Sequence, residues 1–178
     1  MKPLTDLAQI IVSEKDIQHR VSQLADQIGN DYQKTKELLL VSILRGAFIF
    51  TADLARQLRI PHSVDFIALT SYKKSTSSGE VRMISDLRES AKDKHVLIIE
   101  DIVDSGTTLN YLARLFKDRG PASVRTCVMV AKERRHRPDI DYLGFNIPDV
   151  WVVGYGLDYD DRYRTLPYIA ELKAEVYS

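Results

Sequence analysis

The stretch richest in reactive side chains is HVLIIEDIVDSGTTL, residues 95–109. An apolar run ends in Glu100-Asp101, Asp104 follows, and Ser105-Gly106-Thr107-Thr108 leads into a segment with helical spacing. A small hydroxyl-rich turn between a parallel strand and a helix offers backbone N–H groups, hydroxyls and the positive end of the helix dipole. That set suits a phosphate. The dipole alone contributes only about 0.3–2 kcal/mol, so several donors have to converge. Three carboxylates within five positions repel one another and need a cation or hydroxyl donors to remain ionised together. A ligand carrying phosphate, vicinal hydroxyls and Mg²⁺ meets all these demands, and a phosphorylated ribose is such a ligand. An acidic strand end that merely caps a helix would account for any one of these residues, but poorly for the whole arrangement.

Other nucleotide motifs fit less well. A P-loop needs two glycines and a lysine, and this turn has one glycine and no lysine. Gly154-Tyr155-Gly156 begins like a dinucleotide fingerprint, but Tyr159 stands where its third glycine would fall and no helix is expected to open there.

Such a site has to be held by parallel strands joined through helices. Ser13 and Asp16 form a capping signal, after which Ile17, Val21, Leu24, Ala25 and Ile28 share one helical face, with Gly29 placed to stop the helix. Leu38–Leu44 reads as a buried strand entering a tight turn at Arg45-Gly46, followed by a helix over 48–58 ended by Pro61. Residues 64–69 suit a strand, while 71–80, SYKKSTSSGE, read as a mobile loop. Residues 95–99 form a second buried strand, 109–119 a helix closed by Gly120-Pro121, and 124–131 and 150–153 two more strands. The strand-rich stretch after Lys132 has no evident place. This alternation predicts an α/β fold, a mainly parallel central sheet flanked by helices.

Composition bounds the partners. A chain of 178 residues suits a single domain, and 44% hydrophobic with 28% charged residues suits a globular one. Lys and Arg total 25 against 25 Asp and Glu, so no global positive field draws in a polyanion. The one basic run, 132–137, reads as a solvated loop at Arg134, Arg135 and Arg137. Cys127 is the single cysteine, which excludes an intrachain disulfide and a Cys-rich zinc motif, and its apolar neighbours make it a small core residue. No window approaches the ~18 apolar residues of a membrane span. The N-terminus, with Asp6 in its apolar part, is no secretory signal. A cytoplasmic setting follows. His19, His62, His95 and His136 lack metal-ligand spacing, so any metal is expected to be Mg²⁺ on oxygen ligands.

Residues 96–109 resemble the 5-phosphoribosyl pyrophosphate (PRPP) motif of type I phosphoribosyltransferases, an apolar strand followed by two acidic residues and a T/S-G-x-T turn. LRGA at 44–47 is similar to that family's pyrophosphate-binding turn, and Ser71-Tyr72 begin what resembles its active-site loop. Residues 130–164, with the spacing of Lys132, Trp151 and Asp158, resemble its 6-oxopurine branch, in the short bacterial form that uses hypoxanthine and guanine.

The resemblance implies Mg²⁺-dependent transfer of 5-phosphoribose from PRPP to N9 of hypoxanthine or guanine, giving IMP or GMP plus pyrophosphate. It implies a core over about 36–150 and a small hood from about 1–35 and 151–178, in a homo-dimer or homo-tetramer, with neither nucleic acid nor membrane as partner. Glu100 and Asp101 would hold the ribose hydroxyls directly or through Mg²⁺. Ser105, Gly106, Thr107 and Thr108 would take the 5′-phosphate, and Asp104 would manage the proton on purine N7. Lys132 would donate to the purine O6 and so select 6-oxo over 6-amino bases. Trp151 is the only tryptophan, and a lone strand Trp is more often a core residue than a ligand platform; the resemblance makes it the platform on which the purine stacks. The Val152 and Asp158 carbonyls would face the purine 2-position, with Asp158 also contacting a second Mg²⁺. Arg164 would bind pyrophosphate with its planar fork. Leu44, Arg45 and Gly46 would form a turn with a cis peptide whose amides face pyrophosphate, and Ser71 and Tyr72 would close over PRPP. Some relatives carry Lys in place of Arg45 or Thr107. The rival expectation is a PRPP-sensing regulator of the same fold that binds nucleic acid; it would carry a basic face, whereas only 132–137 is locally basic.

Overall fold

The computed structural model describes residues 4–74, 77–133 and 138–177, the side chains of 4, 71–74 and 77–80 excepted. After a 3₁₀ turn at Leu4–Asp6 come β1 (Leu7–Val12), α1 (Glu14–Asp31), β2 (Leu38–Leu44), α2 (Phe48–Gln57), β3 (His62–Lys74) and β4 (Ser77–Ser85). Then follow β5 (His95–Val103), α3 (Thr107–Lys117), β6 (Ser123–Lys132), β7 (Tyr142–Ile147), β8 (Val152–Val153), β9 (Ile169–Leu172) and α4 (Ala174–Tyr177).

Six strands form the main sheet in the order β4-β3-β2-β5-β6-β7. All neighbours are parallel except the edge strand β4. β2 is buried through Ile43 because both its faces are covered. Leu38, Leu40, Leu97, Ile99, Cys127 and Met129 face α1 and α2, while Leu39, Val41, Val96, Ile98 and Val128 pack against Leu109, Leu112 and Phe116 of α3. Cys127 is thus a core side chain, and burial raises its thiol pKa far above the ordinary range. The small sheet, β1-β9-β8, joins the two ends of the chain in antiparallel pairs.

Local chemistry accounts for most boundaries. Ser13 Oγ accepts the Asp16 N–H at 3.2 Å and starts α1. α1 runs two residues beyond Gly29, because Ile28 and Tyr32 carry its buried face onward and outweigh the roughly 1 kcal/mol cost of a helical glycine.

Two expectations are corrected. Within the polar stretch expected as a loop, the backbone of residues 71–74 and 77–80 extends β3 and β4 as paired strands, with Tyr72 opposite Glu80 and Lys74 opposite Ser77, while residues 75 and 76 lie outside the described residues. Hydropathy periodicity reports burial, whereas a ladder needs only paired backbone groups. Likewise 150–153 is not the fourth strand of the parallel sheet. That place belongs to β7, and β8 is two residues long and sits in the small sheet. Gly144 blurred the β7 pattern; a Cβ there would lie 2.2 Å from the Met129 carbonyl oxygen, so only glycine lets β7 come this close to β6. Arg20 of α1 closes this outer strand, donating to the Leu143 and Gly144 carbonyls at 2.5 and 3.1 Å. Arg134, Arg135, His136 and Arg137 lie outside the described residues. Among the described residues no helix is long and apolar enough to cross a membrane.

Candidate active site

Because β2, β5, β6 and β7 are parallel, their carboxyl ends share one edge of the sheet, where ligands of open α/β sheets bind. β2 delivers Leu44, a cis Leu44–Arg45 peptide and Gly46 to that edge. β5 continues past the expected boundary at Ile99, so that Glu100 and Asp101 lie within the strand, and β6 ends on Lys132.

Two hollows meet there. The larger, about 240 Å³, is bordered by Asp101, Asp104, Lys132, Trp151, Val152 and Asp158. The second, about 210 Å³, is bordered by Glu100, Asp104 and 105–108. Asp104 borders both.

The second hollow has an anion-binding form. α3 begins at Thr107, two residues earlier than its spacing predicts, behind Gly106 with φ of 77°. A Cβ on Gly106 would meet Pro138 Cδ at 2.3 Å, so this turn requires glycine on both counts. The N-cap residue Gly106 has no side chain to cap α3, in contrast to Ser13 on α1; the Thr107 N–H reaches only the Ser105 hydroxyl, at a long 3.5 Å, and residues 105–109 border the hollow. Ser105 and Thr107 bring their hydroxyls together at 2.9 Å beside them.

The acidic pair is poised for a cation. Glu100 is buried and its Oε2 has no hydrogen-bond partner among the described residues. Burial, then the neighbouring Asp101 charge, holds the Glu100 carboxyl well above its usual pKa. Burial also raises Asp101, against the opposing pull of Glu100, the Ile102 N–H and Arg164. An orphaned carboxylate oxygen beside a second carboxylate fits a hard divalent ion. The described residues hold no cluster of three or more His, Cys, Asp or Glu, so such an ion would draw its remaining oxygens from ligand and water.

The Asp101 carboxylate occupies the place of a missing side chain: a Cβ on Gly46 would fall 1.6 Å from its Oδ2. Gly156 backs the same turn, its φ is 102°, and a Cβ there would fall 1.9 Å from the Gly46 carbonyl oxygen. These glycines should behave differently. Gly156→Ala meets backbone and should cost about 1–3 kcal/mol in denaturant unfolding. Gly46→Ala meets only a carboxylate that can swing away, so less than about 1 kcal/mol is expected. Equal losses would contradict this account.

Arg164 donates to the Gly156 carbonyl at 2.7 Å and pairs with Asp158 at 2.7 Å and Asp161 at 3.3 Å. Arg45 pairs with the same Asp161 at 2.5 Å. Lys132, nearly buried, lies 3.1 Å from Asp149 and 3.7 Å from Asp104. Trp151 borders the larger hollow and stacks on Tyr177 at 5.3 Å, with Tyr159 edge-on at 5.7 Å.

The structure thus gathers Asp101, Asp104, Lys132, Trp151, Val152 and Asp158 around one cleft, joins Glu100 and 105–108 to it through Asp104, and sets Gly46 against Asp101. It links Arg45 to Arg164 through Asp161. Ser71 and Tyr72 lie on the β3 backbone, and their side chains are outside the described structure. Sequence reasoning missed Asp149, Asp161 and Tyr177. Asp149 follows the carboxyl end of β7, a signal hidden while that strand had no place, and Asp161 stands midway in the spacing Asp158, Asp161, Arg164.

The family model described as phosphoribosyl transferase domain matches residues 9–160. The chain is 46% identical to the hypoxanthine-guanine phosphoribosyltransferase of Dictyostelium discoideum, over 95% of this chain and 97% of that protein. It is 44% identical to the Bacillus subtilis enzyme of the same name, over 97% of each. A solved hypoxanthine phosphoribosyltransferase from Trypanosoma cruzi, a mutant in a ternary substrates complex, superposes with a TM-score of 0.90 at 44% identity, covering 97% of this chain and 99% of that one.

Proposed function

Since the chain belongs to the phosphoribosyl transferase family, and within it to the hypoxanthine-guanine phosphoribosyltransferases, we infer that it serves purine salvage, transferring 5-phosphoribose from PRPP to N9 of hypoxanthine or guanine and giving IMP or GMP plus pyrophosphate. The observation that carries this reading is the pair of hollows meeting at Asp104. One offers N–H groups and hydroxyls to the 5′-phosphate; the other offers an aromatic plane and a cation to a 6-oxopurine.

In this reading the 5′-phosphate rests on the amides and hydroxyls of Ser105, Gly106, Thr107 and Thr108. The purine stacks on Trp151, Lys132 donates to O6, and the Val152 and Asp158 carbonyls accept from the guanine 2-amino group. Asp104 takes and returns the N7 proton. The transition state resembles an oxocarbenium ion, so charge placement does most of the catalytic work. Glu100 and Asp101 face the positive ribose, while Arg164, Arg45 and the turn at Leu44-Arg45-Gly46 face the departing pyrophosphate. Glu100 and Asp101, with Asp158 toward the diphosphate, would hold Mg²⁺, which would supply charge neutralisation for the diphosphate and the ribose hydroxyls. We assign the small sheet to a hood over the base, and the β3–β4 hairpin headed by Ser71 and Tyr72 to covering PRPP against water. A cytoplasmic homo-dimer or homo-tetramer accords with the resemblance.

The deciding assay supplies PRPP and Mg²⁺ with hypoxanthine, guanine, xanthine, adenine or uracil in turn. Nucleotide should form with the first two and poorly with xanthine. No nucleotide with any base would overturn the reading and favour the PRPP-sensing regulator.

Glu100 is held for function at a cost to the free protein. Its pKa is raised on folding, so its contribution to stability is fully present below the ordinary value of about 4.3 and is lost as pH rises through the folded value. Glu100→Gln removes that loss. In metal-free buffer at about pH 8 the variant should melt higher than the wild type, with the gap closing near about pH 4, while phosphoribosyl transfer falls. A lower melting temperature at the higher pH would contradict this.

A further inference from the structure

The turn between β8 and β9 holds Asp160, Asp161 and Tyr163 at φ of 52°, 57° and 71°. It places the Asp161 carboxylate between two arginines from distant parts of the chain, with Oδ1 2.5 Å from Arg45 Nη2 and 3.3 Å from Arg164 Nη2. Asp158 takes the same Arg164 nitrogen at 2.7 Å, and the Asp161 N–H donates to Asp158 Oδ2 at 2.9 Å.

The two acidic partners differ in shelter. The Asp158 and Arg164 side chains are 29% and 18% exposed, whereas those of Asp161 and Arg45 are 61% and 67% exposed. The pairs made by Asp161 are therefore washed by water and easily given up. A ligand bearing several phosphate oxygens matches both guanidinium forks better than one carboxylate does.

We propose that Asp161 is an internal stand-in for diphosphate: it occupies Arg45 and Arg164 in the free protein and has to release them before the diphosphate of PRPP, or product pyrophosphate, is held. The proposal rests on the transferase reading above. Each diphosphate binds only after the Asp161 contacts open, so its apparent affinity is lowered by the population in which they are closed. Substrate and product meet the same competitor, so Asp161 weakens PRPP binding and eases pyrophosphate departure together. A residue that merely oriented the two arginines would act in the opposite sense, since removing it would weaken both ligands.

The test uses Asp161→Asn, because asparagine tolerates positive φ. Its control is Asp160→Asn, which removes a charge from the same turn where the carboxylate pairs with Arg162 at 3.7 Å. Asp161→Asn should lower KM for PRPP and, in calorimetry with sodium pyrophosphate and MgCl₂, Kd for pyrophosphate, each by about two- to fivefold. KM for hypoxanthine should not move, the difference from wild type should shrink at high salt, and Asp160→Asn should change neither constant. Unchanged or raised constants in Asp161→Asn, or the same fall in Asp160→Asn, would overturn the proposal. If the wild type forms no nucleotide from PRPP, the transferase reading has failed, and the pyrophosphate titration still reads Asp161 by itself.

Discussion

Asp104→Asn should lower kcat by about 10²–10⁴-fold, the range expected for loss of a general acid–base group, while KM for PRPP stays within about threefold. The asymmetry follows from position. Asp104 borders both the phosphate hollow and the base cleft but contributes neither the anchoring hydroxyls nor the stacking plane. Asparagine keeps its size and its acceptor toward Lys132, 3.7 Å away, so the cleft should keep its shape. What is lost is the ability to accept a proton and give it back. Steady-state kinetics with hypoxanthine and PRPP reads both constants, and a variant with near-normal kcat would remove Asp104 from the proton path.

Adenine should be used at least about 10⁴-fold less efficiently than hypoxanthine in kcat/KM, the scale of discrimination reached when a site built for one hydrogen bond meets a base that cannot make it. In the proposed reading Lys132 is the reason. Its side chain is only 12% exposed, and Asp149 and Asp104 hold its ammonium where it can donate toward O6 but find little water. An amino group at that position accepts nothing and turns its own N–H groups toward the cation. Lys132→Met should therefore lower kcat/KM for hypoxanthine by orders of magnitude while leaving adenine nearly unchanged, collapsing the ratio. Efficient AMP formation by the wild type would contradict the assignment, as would a variant that still strongly preferred hypoxanthine.

These residues were readable from sequence because each follows an apolar strand. Leu38–Leu44, 95–99 and 124–131 announce themselves as doubly buried strands, and whatever follows a parallel strand lies at the ligand edge. That logic places Arg45-Gly46, Glu100 to Thr108 and Lys132 without any structure. It fails where order is non-local. β7 has Gly144 where its pattern should be apolar, so Asp149 at its carboxyl end went unseen. The β3–β4 hairpin and the small sheet are defined by pairing between polar or distant segments, which no single window reveals. Asp161 is the sharpest case: its turn reads as a charged loop, and only the fold shows that one carboxylate meets arginines more than a hundred residues apart.

The antiparallel pairing of β1 with β9 has a consequence for the order in which the protein is built. Leu7 meets Leu172, so this ladder closes a loop spanning nearly the whole polypeptide. Closure of so long a loop carries the largest entropic penalty in the molecule and cannot begin on the ribosome until β9 has emerged. The phosphate turn, by contrast, draws on β2 and β5 before it and on β6 and Pro138 after it, all of which precede β8 in the chain. The anion cradle can therefore mature before β9 emerges, whereas β8, which leads from Trp151 toward Asp158, gains its β9 partner only near the end of synthesis.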